Sequence, residues 1–190
     1  PSESNEMEII ARNGDPRDVS IEIEEGELKL KLKPDFGDDN EVKIRLPYDF
    51  LRYIEAAGGA VINSREKLYG KATRFNANTG GKIELTVEMQ RIEARVAQGS
   101  DIVLYGTTEA QSVNANTGGN YLAYRLDCKE TTVKAGSGAQ VKVVAREFID
   151  ATSNTKAYIG YIGKPATSHT KTSLGGTISQ FMENPDETGI

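Results

Sequence analysis

Between Val19 and Leu46 the apolar residues alternate with charged ones: Val19, Ile21 and Ile23, then Leu28, Leu30 and Leu32, then Val42, Ile44 and Leu46. Alternation with a period of two predicts strands that bury one face and wet the other. Glu24-Glu25-Gly26 separates the first two runs at hairpin distance, and Pro34-Asp35-Phe36-Gly37-Asp38-Asp39-Asn40 makes a longer polar turn before the third. The chain therefore opens with antiparallel strands. The stretch from Pro47 to Ile54 begins with a proline at a strand boundary and leads into a region of different rhythm.

That second region repeats itself. Asn76-Ala77-Asn78-Thr79-Gly80-Gly81 returns 38 residues later as Asn114-Ala115-Asn116-Thr117-Gly118-Gly119, and the period is half that shift. Turn marks at Gly58, Gly80, Gly99, Gly118, Gly138, Thr155 and Gly175 follow one another at intervals of 22, 19, 19, 20, 17 and 20 residues. The mean is about 19.5. Three residues after each mark stand Val61, Ile83, Ile102, Tyr121, Val141, Tyr158 and Ile178. All seven are apolar or aromatic in a chain that is 37% hydrophobic, an agreement whose chance is on the order of one in a thousand. Ala77, Val96, Ala115 and Ala135 stand three residues before the middle marks, and Phe75, Ala94, Val113 and Val133 five before.

Inward columns at −5, −3, +3 and +5 around a glycine turn describe two half-buried strands per repeat with a shared interior. Stacked at about 4.8 Å per coil, seven registers span roughly 30 Å. The predicted class is all-β: a β-solenoid, or β-helix-like stack, of glycine-punctuated repeats of about 19 to 20 residues, preceded by the N-terminal antiparallel strands. Glycine suits the corners because it accepts positive φ; the corner residues are Gly58, Gly80, Gly81, Gly99, Gly118, Gly119, Gly138 and Gly175. The expected organisation is an N-terminal extension over 1–18, a single all-β domain over 19–182, with strands over 19–54 and repeats over 55–182, and a polar tail over 183–190.

Composition agrees. Nineteen glycines and no tryptophan among 190 residues, with abundant Thr, Val, Ile and Tyr, favour strands joined by tight turns. The net charge of −5 gives no attraction toward nucleic acid. No apolar run of membrane-spanning length occurs, and Pro1 to Glu8 is polar and acidic where a signal peptide would be basic and then apolar.

Candidate chemistry is sparse. The only histidine, His169, and the only cysteine, Cys128, supply neither a triad nor a zinc site. No catalytic residue and no cofactor is therefore expected. Asp35, Asp38 and Asp39 carry the oxygen ligands calcium favours but lack the spacing of a calcium loop. Glu84, Glu88 and Glu93 read as a solvated face. Tyr48, Tyr69, Tyr105, Tyr124 and Tyr161 are the candidate binding-surface aromatics, since aromatic rings stack on sugars and line apolar sites.

The order of these parts resembles the putative auto-transporter adhesin, head GIN domain family of exported bacterial proteins, common in Bacteroidetes. The residues that carry the resemblance are Val19 to Leu32, Val42 to Pro47, the Gly-Gly and Gly-Ser turns, and the closing Ala157-Tyr158-Ile159-Gly160-Tyr161-Ile162-Gly163-Lys164-Pro165 followed by Leu174-Gly175-Gly176-Thr177-Ile178. Thr155-Lys156 departs from the pattern where a glycine turn is expected. The resemblance implies an exported protein of the periplasm, outer membrane or cell surface, reached through a signal peptide or lipid anchor, with no catalytic residues to carry over. The expected role is a non-enzymatic adhesin or interaction module for a surface protein or glycan. Two alternatives stand beside it: a binding protein holding a small apolar or lipid ligand between the N-terminal strands and the solenoid, and a carbohydrate-active protein on a solenoid scaffold. An open solenoid end makes self-association an expectation as well.

Overall fold

A computed structural model describes residues 6–12, 15–33 and 41–181, and the chain divides into two units, Pro1–Asp49 and Phe50–Ile190. In the first unit the three alternating apolar runs and one further strand, from the stretch before Val19, form two antiparallel pairs. Strand β1 (Glu8–Arg12) pairs with β4 (Glu41–Arg45), and β2 (Val19–Glu24) pairs with β3 (Glu27–Leu32). The β2–β3 hairpin closes on Glu25 and Gly26, both with positive φ, which matches the right-handed twist of the strands it joins. Opposite charges face each other across it, Glu22 with Lys31 and Glu24 with Lys29. The acidic turn holding Asp35, Asp38 and Asp39 lies outside the described residues, as does the polar tail.

The second unit is a parallel stack. Strand β5 (Tyr53–Ala57) pairs with β7 (Leu68–Asn78), and β6 (Val61–Asn63) with β8 (Lys82–Val96). Strands β7, β8, β9 (Asp101–Ala115) and β10 (Asn120–Ala135) follow in parallel register. Next, β11 (Gln140–Val144) and β12 (Phe148–Ser153) pair with the two halves of β10, β13 (Tyr158–Ile162) and β14 (Thr167–Thr172) pair with those, and β15 (Thr177–Phe181) pairs with β13. The result is a β-solenoid of about seven turns.

Each coil turns at two corners. At one, two successive residues have positive φ: Thr79 and Gly80, Gln98 and Gly99, Thr117 and Gly118, Ser137 and Gly138. The residue after each pair donates its N–H to the carbonyl three residues back, as Gly81 does to Asn78 at 2.9 Å, which is the type I′ arrangement. The turns also bond to one another along the stack: Gly80 N–H to Gln98 C=O, Gly99 to Thr117, Gly118 to Ser137 and Gly138 to Thr155, at 3.0 to 3.2 Å. The other corner has no recurring glycine, although Gly163, at φ +127°, opens it between Ile162 and Thr167. There the ladder skips Gln90 and Glu109, and Gln90 and Arg91 both face out, breaking the alternation where the chain passes from one layer to the other.

The stacking bonds correct the repeat register at two turns. Gly59 N–H donates to Thr79 C=O and Lys156 N–H to Leu174 C=O, so the marks equivalent to Gly80 are Gly59 and Lys156, one residue beyond Gly58 and Thr155. A slip of one residue exchanges the two faces of a strand. The inward column is accordingly Ile62, Ile83, Ile102, Tyr121, Val141, Ile159 and Ile178. Val61 is 62% exposed and Tyr158 is turned outward, against the expectation for both. The columns Phe75, Ala94, Val113, Val133 and Ala77, Val96, Ala115, Ala135 are buried.

Thr155-Lys156 forms the same turn without glycine, at φ +47° and +60°. An L-residue pays sterically for that conformation. Lys156→Gly is therefore expected to stabilise the fold by about 1 kcal/mol, read as an upward shift in Tm of a few degrees. A lower Tm would show that the lysine side chain contributes more than the strain it carries.

In β10, Leu122 pairs with Val103 and Arg125 with Tyr105, so Ala123 and Tyr124 together oppose Leu104. This β-bulge lengthens the coil by one residue and turns Tyr124 and Arg125 outward in succession.

Candidate binding face

The two layers enclose side chains that are almost wholly buried, and one polar cluster sits among them. Tyr121 donates its hydroxyl proton to Gln111 Oε1 at 2.9 Å, Gln111 Nε2 donates to Thr131 Oγ1 at 3.0 Å, and Thr131 Oγ1 donates to the Val144 carbonyl at 2.7 Å. Cys128 lies against this group, its thiol 3.1 Å from the Glu130 carbonyl. Burial raises the pKa of both Tyr121 and Cys128 above the ordinary phenol and thiol ranges.

Both groups therefore keep their protons in the folded state at pH values where the unfolded chain loses them, and stability falls as pH rises through those ranges. Unfolding free energy is expected to decline between about pH 8 and about pH 11, and Tyr121→Phe to flatten the upper part of that decline in denaturant titrations. An unchanged slope in the variant would count against the burial account.

His169 is exposed on β14, its ring edge-to-face with Phe148 at 6.0 Å, and is not part of the Cys128 cluster. Among the described residues no three His, Cys, Asp or Glu side chains gather as a metal site would require.

The candidate aromatics separate. Tyr161 is 8% exposed and points inward between Val143 and Gln180. Tyr48 belongs to the first unit and is half-buried. Tyr69, on β7, stands out from the sheet with the Lys67 ammonium 5.7 Å from its ring centre. Tyr105 and Tyr124 come together, on adjacent coils and the same outward layer. Arg125 lies 5.8 Å from the Tyr124 ring centre, and Tyr105 donates its hydroxyl to Glu84 Oε1 at 3.4 Å. Burial, then the Glu84 charge, raises the Tyr105 pKa, while the hydrogen bond from Lys82 holds the Glu84 carboxyl below its ordinary value.

Two further residues complete this face. Val103 and Leu122 pair at an outward position beside the tyrosines and are half-buried. Farther along, the Phe181 ring covers Gly160, where an added Cβ would lie 2.7 Å from it. Nothing in the residue types marks these as outward, because an apolar strand residue announces its face only once the register is known. The face is rimmed by the Lys82–Glu84 ion pair at 2.8 Å and by Asn120 Nδ2 donating to Asp101 Oδ1 at 2.8 Å.

Seven stacked coils with filled interiors and a partly apolar outward layer define a β-solenoid protein. The chain belongs to the putative auto-transporter adhesin, head GIN domain family, whose model matches residues 1–165. Its fold is similar to that of a putative adhesin from Bacteroides fragilis, with a TM-score of 0.82 at 17% identity over 95% of this chain and 85% of that one. A putative adhesin from Parabacteroides merdae superposes with a TM-score of 0.70 at 20% identity, over 92% of this chain and 82% of that one. A putative lipid binding protein from Parabacteroides distasonis gives 0.65 at 18% identity, over 87% and 79%. No curated protein matches the chain. Among the described residues no helix is long and apolar enough to cross a membrane.

Proposed function

We propose that this protein is a non-enzymatic, exported interaction module that holds a surface protein or glycan against the outward layer around Tyr105 and Tyr124. The observation that supports this reading is the placement of Val103, Tyr105, Leu122 and Tyr124 at outward strand positions, where a solvated sheet carries polar residues. Contiguous apolar surface with aromatic anchors is the usual composition of a contact patch. The purified chain, applied to arrays of glycans and envelope proteins, should retain a partner. The double variant Tyr105→Ala, Tyr124→Ala should weaken that binding by about tenfold or more, equivalent to about 1.4 kcal/mol. Binding that survives the double substitution with native affinity would remove this face from the reading.

A second reading, a small apolar or lipid ligand, is supported by the likeness to the putative lipid binding protein of Parabacteroides distasonis. It predicts saturable uptake of a fluorescent fatty acid, and the absence of any uptake at micromolar protein ends it.

A further inference from the structure

The opposite layer carries a second surface of different chemistry. Two adjacent outward columns run along the stack there. One contains Asn76, Arg95, Asn114, Lys134, Thr152 and Lys171, which are register partners from β7 to β14. The other continues the same rows two residues further on, with Asn116 bonded to the adjacent Thr117 N–H, and Asn116 and Asn154 leaning over Gly136 so closely that a Cβ there would meet Asn154 Oδ1 at 2.6 Å. From Arg95 onward neither column holds a carboxylate; at the β5 end Glu55, the register partner of Asn76, accepts from Asn76 Nδ2 at 3.0 Å and from Asn78 Nδ2 at 2.8 Å. A chain with a net charge of −5 thus exposes, from Arg95 to Ser173, a stripe of amides and hydroxyls, with Ala97 and Gly136 among them, interrupted by three cations.

The cations alternate with neutral residues: Arg95, then Asn114, then Lys134, then Thr152, then Lys171. With coils about 4.8 Å apart, successive cations stand about 9.6 Å apart. Arg95 is held by Glu93, its Nη2 donating to Oε1 at 2.9 Å, from the neighbouring column. Lys134 and Lys171 are exposed and have no ion-pair partner among the described residues.

From this stripe we propose a binding site for an acidic polysaccharide that carries one carboxylate on every second sugar and lies along the solenoid axis. In an extended β-linked chain each sugar is turned over relative to its neighbour, so like substituents face the same side every two sugars, a repeat that matches two coils. The cations take the carboxylates, and the Asn and Thr side chains between them take hydroxyls as donors and acceptors. A nucleic acid strand fits less well, because its phosphates come at every residue and at closer spacing. This proposal stands independently of the aromatic face on the other layer.

The test uses the full chain and a hyaluronan hexasaccharide, which carries three carboxylates, with cellohexaose and hexaglutamate as probes of sugar and charge alone. Titration calorimetry should detect binding of the hyaluronan oligomer, weakened by added salt, and neither control should bind comparably. The variant Lys134→Glu, Lys171→Glu should lose about tenfold or more in affinity, with circular dichroism and Tm unchanged because both side chains are exposed. The Tyr105→Ala, Tyr124→Ala variant should bind the oligomer as the parent does. No binding by the parent, undiminished binding by the double lysine variant, or equal binding of hexaglutamate would each overturn the proposal.

Discussion

Gly106→Ala is expected to destabilise the solenoid by about 3 kcal/mol or more, seen as a fall in Tm of roughly 10 °C for a chain of this length. Gly106 sits inside β9, paired on one side with Val87 and on the other with Leu126. Its φ is +108°, and an added Cβ would lie 2.1 Å from the Val87 carbonyl oxygen. The obstacle is backbone, held in a ladder on both sides, so relief requires the parallel pairing of two coils to part. Gly80→Ala is the control. Gly80 has φ +72° with nothing within 4 Å of an added Cβ, so it bears conformational strain alone, about 1 kcal/mol. Equal melting temperatures for the two variants would show that the coils tolerate local separation at Gly106.

The buried polar cluster should behave as one unit. Gln111→Leu leaves the Tyr121 hydroxyl without its acceptor, and Tyr121→Phe leaves Gln111 Oε1 without its donor. Each is expected to cost about 1–3 kcal/mol, the penalty for a buried polar group that loses its partner. The double variant removes both halves of the bond, so its cost should fall short of the sum by about 1 kcal/mol or more. Strict additivity in a denaturant cycle would mean that the hydroxyl and the amide do not sense each other.

The legible parts of the fold were those encoded over a few neighbouring residues. Alternation in β2 and β3 and the recurring Thr-Gly or Ser-Gly corners are local statements, and the coil period follows from them. Register is not local. Where Gly58 and Gly59 stand together, either could be the second turn residue, and where Thr155-Lys156 replaces glycine the corner has no marker at all; each ambiguity moved a strand by one residue and exchanged Tyr158 with Ile159. The glycine-free corners at Gln90 and Glu109 were invisible for the same reason, since a polar residue in a strand looks alike at a bend and on a flat face. The candidate face was legible only in part. Tyr105 and Tyr124 declare themselves by residue type, whereas Val103 and Leu122 become surface residues only when the bulge at Ala123-Tyr124 and the register around it are known. The charge alternation along Arg95, Lys134 and Lys171 is invisible along the chain, because its members are brought into line by coils of unequal length.

The parallel stacking also dictates how the second unit responds to load. Phe50 and Phe181 belong to opposite ends of the coil series, and every ladder bond between coils points along the stacking direction. A pull applied between those ends loads each row of bonds in opening mode, not in shear, so coils part in succession from an end. Because each coil contacts chiefly its neighbours, extension would proceed in steps of one coil at modest force, dissipating tension gradually where a sheared sheet would hold and then rupture.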